Sequence, residues 1–561
     1  MPLISQVVDN LLGGVSQKPT PSRSPSECTE QVNGMALWGK GLIKRPPSKY
    51  VGKLTSTTTR MAEAFVHPIN RDGVERYHVI ISNGDLKVYD AVTGTAKTVT
   101  YPNGKTYLSS SLGFRAVTIG DVTFITNRST IPATDAVSKV AARVPEAIVF
   151  IRQADFSTTY YVKVNSTTIS YTTRDGTVPT NRPYITTDYI AQQLYNLLVS
   201  SGPAGFSYTL IGSSIYITRS IGYTTVDFTV AASDGLADQA IYAVKGTIQR
   251  FEDLPGKAKQ GMYLEVTGDP GSQYDDYYVT YDNNSADGQV GVWRETVKVD
   301  EIYKFDYTTL PHSLTRNAEG TFTFDQVTWR NREVGSAVTN PYASFIGKPI
   351  KDVFFHKGRL GFLAGENVIL SQAASVTNFW RQSAKELYDN DLIDITAAFP
   401  RVMNFHTFLE WNNVGLLWAN NAQVTIDAGD VLSPKTVGLT LITALENQSA
   451  IRPIVVGGRL FFAQILNLVT RVSEYYIDNQ TGKPRARDIT VDQPTYLQGS
   501  PVAMVGIDTP GMLAILMDGK RNSIFTYDFK YDGDQQIQGA WGHWDFANGR
   551  VAGLDYVAGS L

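Results

Sequence analysis

The sequence predicts a mainly β protein, a β-propeller that carries an inserted α+β domain. The 561 residues include 30 Tyr and 24 Phe along with many Thr and Val, residue types that favour strands. Hairpin-like units recur at steps of about 45–55 residues within residues 358–528, the spacing expected of propeller blades. This rhythm breaks between residues 145 and 312, which indicates an insert. An ordinary β-sandwich with several hairpins is the alternative fold.

The clearest hairpin unit spans residues 352–380. Its first half alternates large apolar residues with small or polar ones, the period of a half-buried strand: Phe354, Phe355, Leu360 and Phe362. Residues 364–367 supply the turn, because Gly and Asn adopt positive φ at low cost. Residues 368–370 then form the returning strand.

Composition and charge exclude several classes of protein. A net charge of -3 argues against a nucleic-acid binder that uses its whole surface. The single cysteine, Cys28, excludes an intrachain disulfide framework and a multi-cysteine zinc site. Residues 1–14 lack the charged region and long apolar core of a secretory signal. No apolar run is long enough to predict a membrane span.

Residues 1–54 are predicted to form an extended amino-terminal arm. Prolines and glycines are frequent there, which excludes a long helix, and the arm is expected to run over another surface. Residues 55–144 follow as the first propeller blades. Asn83-Gly84 marks a hairpin turn in this region, because Asn-Gly between alternating apolar residues favours a two-residue turn.

Residues 145–312 are predicted to form the α+β insert, placed between blades. Its strands are rich in Thr, Val and Tyr. The clearest helix of the chain spans residues 187–200, with Thr187 or Asp188 as its amino-terminal cap. One apolar stripe of this helix is expected to face a sheet: Ile190, Leu194, Leu197 and Leu198.

Residues 313–561 return to the blade pattern and are predicted to hold the remaining blades and the start of a distal region. Six tryptophans lie there and are expected to pack between blades rather than to bind sugar: Trp329, Trp380, Trp411, Trp418, Trp541 and Trp544. His543, between the last two, is expected to be packed or hydrogen-bonded.

Little in the sequence indicates catalysis. The densest acidic group is Asp389, Asp391 and Asp394, which suits either an acid/base pair for glycoside hydrolysis or a cation site. A solvent-facing loop between blades is the other interpretation. Gly104-Lys105-Thr106 fails as a phosphate loop, because Val99 stands where that motif needs glycine. The chain is therefore predicted not to be an enzyme, with no catalytic residue, cofactor or metal.

Motifs spread over nearly the whole chain resemble those of a known family. They are GGVSQKP (13–19), QVNG (31–34), GLIKRPP (41–47), YPNGKTYL (101–108), NPYASFIGKPIKDVFFHKGRLGFLAGENVILS (340–371) and WGHWDF (541–546). In this order they resemble the tail nozzle family of short-tailed bacteriophages, also called tail tubular protein B.

The resemblance implies a structural subunit of a phage tail nozzle. Six copies would form a hexameric tube below an adaptor ring (tail tubular protein A), with a tail fibre near the junction. Viral DNA and ejection proteins would pass through the lumen without specific binding, and the insert would be the platform-type domain that packs neighbours into a ring. The subunit would assemble in the bacterial cytoplasm and act in the virion tail. Family members continue past the position of Leu561, so the distal tip of the nozzle is expected to be absent.

The amino-terminal motifs are the candidate interface with the adaptor or with a neighbouring subunit. The residues assigned to this interface are Gly13, Gly14, Ser16, Gln17, Pro19, Gln31, Asn33, Gly34, Lys44, Arg45 and Pro46. Two other functions stay open at this point. One is a tail-associated polysaccharide hydrolase that acts on host capsule or cell wall, and the other is a monomeric propeller that serves as a scaffold.

Overall fold

A computed structural model describes residues 7–53, 64–220, 222, 225–268, 276–283, 291–429, 431–447, 451–478, 481–533, 535–557 and 559–561. The predicted boundary between residues 54 and 55 lies outside this part of the chain. The described residues form forty strands and one α-helix, which confirms the prediction of a mainly β protein.

The arm contains four short strands, which are β1 (Gly14–Val15), β2 (Glu27–Cys28), β3 (Gly34–Leu37) and β4 (Gly41–Lys44). β1 pairs in parallel with β2, and β3 pairs with β4 as an antiparallel hairpin. The first antiparallel sheet, sheet 1, consists of β5 (Phe65–Asn70), β6 (Arg76–Ser82), β7 (Asp85–Asp90) and β8 (Ala96–Lys97). Asn83 and Gly84 connect β6 to β7 with φ of 50° and 74°, as the predicted turn requires.

Sheet 2 begins with β9 (Val99–Thr100), β10 (Phe114–Ile119) and β11 (Val122–Asn127). The chain then enters the insert, whose strands form an eight-stranded and a three-stranded sheet. The elements of the insert are β12 (Glu146–Ile151), β13 (Thr159–Val164), β14 (Thr167–Thr172), α1 (Thr187–Ser201), β15 (Phe206–Ile211), β16 (Ser214–Arg219), β17 (Val230–Asp234), β18 (Ile241–Lys245), β19 (Thr247–Ile248), β20 (Tyr263–Val266), β21 (Tyr277–Asp282) and β22 (Val292–Thr296).

Helix α1 packs its apolar stripe against both sheets of the insert. Ile190, Leu194 and Leu198 are buried in a core shared with β12, β13 and β16, while Leu197 is only partly buried. The cap lies one residue before the predicted pair, because the side chain of Thr186 accepts a hydrogen bond from Tyr189 N at 3.2 Å. Thr187 is therefore the first helical residue rather than the cap.

The insert interrupts sheet 2. After the insert the chain adds β23 (His312–Arg316) and β24 (Phe322–Gln326), and β23 pairs with β11 so that Val122 lies opposite Thr315. β9 completes this sheet beside β24. The insert therefore lies inside one sheet, whereas the sequence pattern predicted an insert between blades.

Four further sheets are antiparallel meanders in chain order. Sheet 3 consists of β25 (Asp352–His356), β26 (Arg359–Ala364), β27 (Asn367–Leu370) and β28 (Ile393–Thr396). Sheet 4 consists of β29 (Phe405–Trp411), β30 (Val414–Ala419), β31 (Ala422–Asp427) and β32 (Gly438–Thr443). Sheet 5 consists of β33 (Ile454–Val456), β34 (Arg459–Leu466), β35 (Val469–Ile477) and β36 (Pro484–Asp488). Sheet 6 consists of β37 (Pro501–Ile507), β38 (Met512–Met517), β39 (Ser523–Asp532) and β40 (Gln535–Asp545).

Each of sheets 1 to 5 packs on the following sheet through an apolar cluster. Aromatic side chains meet at all five junctions, and each such pair adds about 0.5–1.5 kcal/mol beyond its buried area. The pairs, in chain order, are Tyr77–Phe322, Trp329–Phe362, Phe354–Phe408, Trp418–Phe462 and Phe461–Phe529. Of the six carboxy-terminal tryptophans, all except Trp411 are buried, as the packing interpretation predicted.

Candidate functional site

The carboxylate of Asp352, the first residue of β25, connects four sheets. Its side chain is fully buried. Oδ2 accepts a hydrogen bond from Phe408 N of sheet 4 at 2.9 Å. Oδ1 binds the guanidinium of Arg452, next to sheet 5, and lies 3.9 Å from Nε of Arg115 in sheet 2. Sheets 2, 3, 4 and 5 therefore converge on one side chain, which we call the hub.

Positive charge exceeds negative charge around the hub. Arg115 lies in a buried position, and this burial lowers its pKa to about 10. Burial also lowers the pKa of His406, on β29, to about 4, so this imidazole is neutral at physiological pH. His67, on sheet 1, has its pKa lowered to about 4, first by burial and then by the charge of Arg452. Arg115 therefore stays charged at physiological pH, while the imidazoles of His67 and His406 are neutral.

The carboxy-terminal segment after β40 lies against sheet 1. The carboxylate of Asp555 is 3.1 Å from Nδ1 of His78 on β6. A Cβ placed on Gly553 would lie 3.6 Å from a methyl group of Val66 on β5. The same segment is held to sheet 6, because Val551 N donates to the carbonyl of Arg521 at 2.8 Å. Residues 551–555 thus contact both the first and the last sheet.

The amino-terminal arm packs on sheet 6 of its own chain. Gly14 has φ of +68°, and a Cβ there would lie 2.6 Å from Trp541 N, so only glycine fits this approach. Asn33 N donates to the carbonyl of His543 at 2.8 Å, and Trp544 Nε1 donates to the carbonyl of Gly34 at 3.2 Å. The imidazole of His543 is buried and hydrogen-bonded to the hydroxyl of Tyr496, as the sequence predicted.

The residues of the predicted interface differ in how much of their surface is exposed to solvent. Gly14, Ser16, Gln31 and Gly34 are buried, and Gly13, Asn33 and Arg45 are half-buried, so these seven hold the arm to its own chain. The exposed members are Gln17, Pro19, Lys44 and Pro46. Gln17 also has an internal role, since its Oε1 accepts from Thr495 N at 2.9 Å. That these eleven residues form an interface with another protein or subunit stays a prediction.

Two side chains of sheet 6 fix strand β3. Oδ2 of Asp528 accepts from Ala36 N at 2.8 Å, and Nε2 of Gln538 donates to the carbonyl of Ala36 at 2.6 Å. Asp528 is 2% exposed, and this burial raises its pKa to about 7. The strand is therefore held by a carboxyl group that titrates near neutral pH.

The hairpin of β3 and β4 carries exposed apolar residues that the interface prediction missed. Trp38, at its turn, is 57% exposed, and Leu42 and Ile43 are 38% and 36% exposed. The sequence holds a signal for them, because apolar residues at 35–38 and at 42–43 stand on either side of Gly39 and Gly41. Both glycines adopt positive φ.

The acidic run Asp389–Asp394 is structural. Oδ1 of Asp391, which is buried, accepts from Gln382 N at 3.0 Å, and Oδ2 accepts from Tyr388 N at 2.9 Å. Asp394 accepts from Ser344 N at 2.7 Å. Asp389 is exposed and pairs with Lys435 at 3.2 Å.

A buried arginine explains why the backbone of this run takes its path. Arg359 is 1% exposed and donates to the carbonyls of Ser371, Asp389 and Asp391 at 2.7, 2.9 and 2.5 Å. Burial lowers the pKa of Arg359, and its carbonyl partners compensate for lost water. The run thus serves to bind a guanidinium rather than to present two carboxylates to a substrate.

An open cleft of about 880 Å³ lies between sheets 5 and 6. Beneath it the buried carboxylate of Glu474 binds Arg459 at 2.6 Å and also binds Arg487. The hydroxyl of Tyr531 donates to Glu474 at 2.6 Å. Burial, followed by this bond, raises the pKa of Tyr531, so the phenol stays protonated. Two guanidinium groups and one phenol hydroxyl therefore surround this carboxylate.

Within the described part of the chain, no group of three or more His, Cys, Asp or Glu residues has the proximity to hold a metal ion. Cys28 is half-buried, and burial raises the pKa of its thiol. No helix among the described residues is long and apolar enough to cross a membrane.

Comparisons with known proteins agree with the amino-terminal motifs. The profile of the family described as bacteriophage nozzle protein matches residues 1–559. Tail tubular protein gp12 of Escherichia phage T7 is 32% identical over 557 residues, which are 97% of this chain and 69% of that protein.

Similarity to solved structures is low. The NanB sialidase from Streptococcus pneumoniae aligns over 90% of this chain and 73% of its own, with a TM-score of 0.30 and 10% identity. Hsv2 of Kluyveromyces lactis aligns over 39% of this chain and 53% of its own, with a TM-score of 0.23 and 6% identity. These scores support no conclusion about the fold. The family profile and the phage relative, by contrast, span nearly the whole sequence, so this chain belongs to the bacteriophage nozzle protein family, whose members are structural tail proteins.

Proposed function

We propose that this chain is the structural subunit of a phage tail nozzle and not an enzyme. The observation that carries the proposal is the family match over residues 1–559, together with a relative named as a tail tubular protein. In the proposed assembly six copies form a hexameric tube below an adaptor ring, with a tail fibre docked near the junction. Viral DNA and ejection proteins pass through its lumen, and the particle assembles in the host cytoplasm.

We also propose that the six sheets are the blades of one closed propeller. The hub supports this arrangement, because Arg452 beside sheet 5 reaches Asp352 of sheet 3 past the intervening sheet 4. Sheets that were merely stacked in a row would keep sheets 3 and 5 apart. Residues 551–555 would close the ring, since they contact sheets 1 and 6. Such a body has few free strand edges and makes a rigid wall.

The insert would act as the platform that joins neighbouring subunits. Its carboxylates bind the loop between β27 and β28 of sheet 3 and the segment that joins sheets 2 and 3, which suits a unit that transmits load. Glu295 accepts from Ala384 N and from Ser383 Oγ, both at 2.7 Å, and Glu301 pairs with the buried Arg332 at 3.0 Å. Closed rotational symmetry would turn one contact between unlike surfaces into a ring.

The mass and shape of the purified chain, with and without the adaptor protein, test this proposal. We expect light scattering and electron microscopy to report a sixfold ring, either alone or once the adaptor is added. A chain that stays monomeric in both cases would overturn the proposed tube. An assay with a panel of bacterial polysaccharides should detect no turnover, and turnover abolished by Asp389→Asn, Asp391→Asn or Asp394→Asn would instead establish the hydrolase.

A further inference from the structure

Three arginines gather around the single carboxylate of the hub. Arg452 binds Oδ1 of Asp352, and Nε of Arg115 lies 3.9 Å from the same oxygen. Arg128 follows β11 directly and forms no ion pair with a described residue. One carboxylate balances only one of these three positive charges. An anion placed among them would therefore be stabilised.

Strand pairing puts Arg128 on the same side of sheet 2 as Arg115. Arg115 lies opposite Thr126 in the antiparallel ladder of β10 and β11. Opposed residues point to one face of a sheet, and so do residues two positions apart along a strand. Arg128 continues this ladder, because its N donates to the carbonyl of Gly113 at 3.1 Å. Both guanidinium groups therefore leave sheet 2 on the face that meets Asp352 of sheet 3.

Cations outnumber carboxylates around the hub. Burial, together with the charge of Arg452, lowers the pKa of Arg128, and Asp352 is the only carboxylate of the described part of the chain whose charge acts on it. Burial and the charge of Arg128 also lower the pKa of Lys351, which adds a fourth cation to the cluster. The carboxylate of Asp555 pairs with sheet 1 instead. The excess of positive charge is thus left without a counter-charge among the described residues.

Another buried arginine shows how this chain satisfies a lone guanidinium. Arg359 donates to five backbone carbonyls, which take the place of water. Arg128 donates to one, that of Leu112 at 3.4 Å, and both hydrogen bonds of Arg452 come from a single nitrogen, Nη2. A guanidinium carries five N–H groups. Most of the donors of Arg128 and Arg452 therefore have no partner among the described residues.

The exposure of these side chains limits the size of the anion. The side chain of Arg452 is 39% exposed, whereas that of Arg115 is 13% exposed. A small ion can reach the cluster from the side of Arg452. A nucleic-acid backbone needs a continuous exposed surface, which these half-buried groups do not provide. Guanidinium groups match phosphate and sulfate oxygens with two parallel N–H···O bonds, so the chemistry favours a small tetrahedral oxyanion.

We propose that the hub binds one small oxyanion per chain, of the class of inorganic phosphate. The ion bridges Arg115 and Arg128 of sheet 2 to Arg452 beside sheet 5. It supplies the negative charge that Asp352 alone does not provide, and it ties these sheets together within one subunit. The inference concerns a single chain and does not depend on assembly into a tube.

Calorimetric titration of the full chain with inorganic phosphate tests the site. The protein is first dialysed free of phosphate and sulfate, and sodium chloride holds the ionic strength constant at neutral pH. We expect saturable binding of one phosphate per chain, with an affinity at least about tenfold lower in Arg128→Gln, because hydrogen bonds between charged groups are lost. Arg128→Lys keeps the charge without the planar fork and should fall between the two.

The matched control Arg330→Gln removes an exposed arginine outside the hub and should bind phosphate as wild type does. No saturable binding to wild type, or equal affinity in Arg128→Gln, would overturn the proposal. A phosphorylated trinucleotide should not displace the phosphate. Displacement would assign the hub to a nucleic-acid phosphate and would also overturn the assignment to a small free ion.

Thermal unfolding separates the ion from a purely structural role of the arginine. Without phosphate, Arg128→Gln should unfold at or above the wild-type midpoint, because the substitution removes repulsion between half-buried cations. Phosphate should raise the wild-type midpoint and raise that of Arg128→Gln less, since a ligand stabilises the folded state that binds it. Low concentrations are used because concentrated phosphate stabilises proteins by exclusion from their surface. An equal rise in both proteins would contradict the proposed site.

Discussion

The carboxylate of Asp352 neutralises guanidinium groups that come from two other sheets. Replacing it with asparagine leaves Arg115 buried beside Arg452 without a counter-charge. Breaking a buried ion pair from one side costs about 3–5 kcal/mol. We expect Asp352→Asn to lower the free energy of unfolding by about 3 kcal/mol, near the lower limit because Arg452 is partly exposed. Denaturant unfolding of the intact chain measures this loss.

Asp389→Asn is the matched control for that substitution. Asp389 is exposed, and its side chain pairs with the exposed Lys435. Exposed pairs contribute about 0–1 kcal/mol, so this change should leave the stability within that range. A loss at Asp352 no larger than at Asp389 would contradict the role assigned to the hub.

At the residue scale, the hub is a feature that could not be predicted from the sequence. The sequence predicts a hairpin unit over residues 352–380, because the alternation of apolar with polar residues and the turn at residues 364–367 are both local signals. The role of Asp352 depends on Phe408 and Arg452, which are 56 and 100 residues further along the chain. No local sequence pattern predicts a contact between residues so far apart in the chain. The acidic run at residues 389–394 resembled a catalytic or cation site in the sequence. Its acidic residues are close together because the backbone bends around Arg359.

At the scale of elements, strand β3 depends on the protonation of Asp528. The pKa of this carboxyl is about 7 in the folded chain, against an ordinary value of 3.8. The folded state therefore holds a proton that the unfolded state releases between these two values. The stability that this group contributes is lost as pH rises from about 4 to about 7. Asp528→Asn removes this dependence because an amide does not titrate.

We expect Asp528→Asn to be more stable than wild type at pH 8, by at most about 4 kcal/mol. The difference should shrink as pH falls and vanish near pH 4. Thermal unfolding midpoints of both proteins over this range measure the effect. Asp532→Asn, an exposed position on the same strand, is the control and should track wild type throughout. A pH-independent difference at position 528 would show that packing, not titration, is responsible.

Helices, strands and turns that depend on short sequence patterns could be predicted. The pairing of strands that are far apart in the chain could not. The helix was predicted to within one residue at each end, because its apolar stripe repeats with helical period. The turn at Asn83-Gly84 was equally local. The position of the insert within sheet 2 was not predictable, since the paired residues Ile125 of β11 and His312 of β23 are 187 residues apart in the chain. Their pairing is decided by packing rather than by either strand's sequence.

At the scale of the whole molecule, charge is distributed unevenly on a nearly neutral chain. The total is -3, yet all five charged residues among 31–53 are Lys or Arg. A lumen that held DNA tightly would oppose its passage, because each neutralised phosphate adds affinity. A passive channel therefore requires that the basic segment 31–53 not add phosphate contacts to the lumen.

A passive lumen predicts that assembly does not strengthen DNA binding. Unassembled subunits expose Lys40, Lys44 and Lys49 and should bind duplex DNA weakly, with a salt dependence of about two or three phosphate contacts. The assembled particle should bind no more tightly per subunit and with no steeper slope, because a passive lumen adds no phosphate contacts. Titration of a fluorescent duplex at several salt concentrations, below and above the assembly concentration, measures both slopes. In the unassembled state K40E/K44E/K49E should lose the binding that wild type has. A steeper slope for the particle would mean that its lumen is lined by cations that grip DNA, and a passive channel would then be excluded.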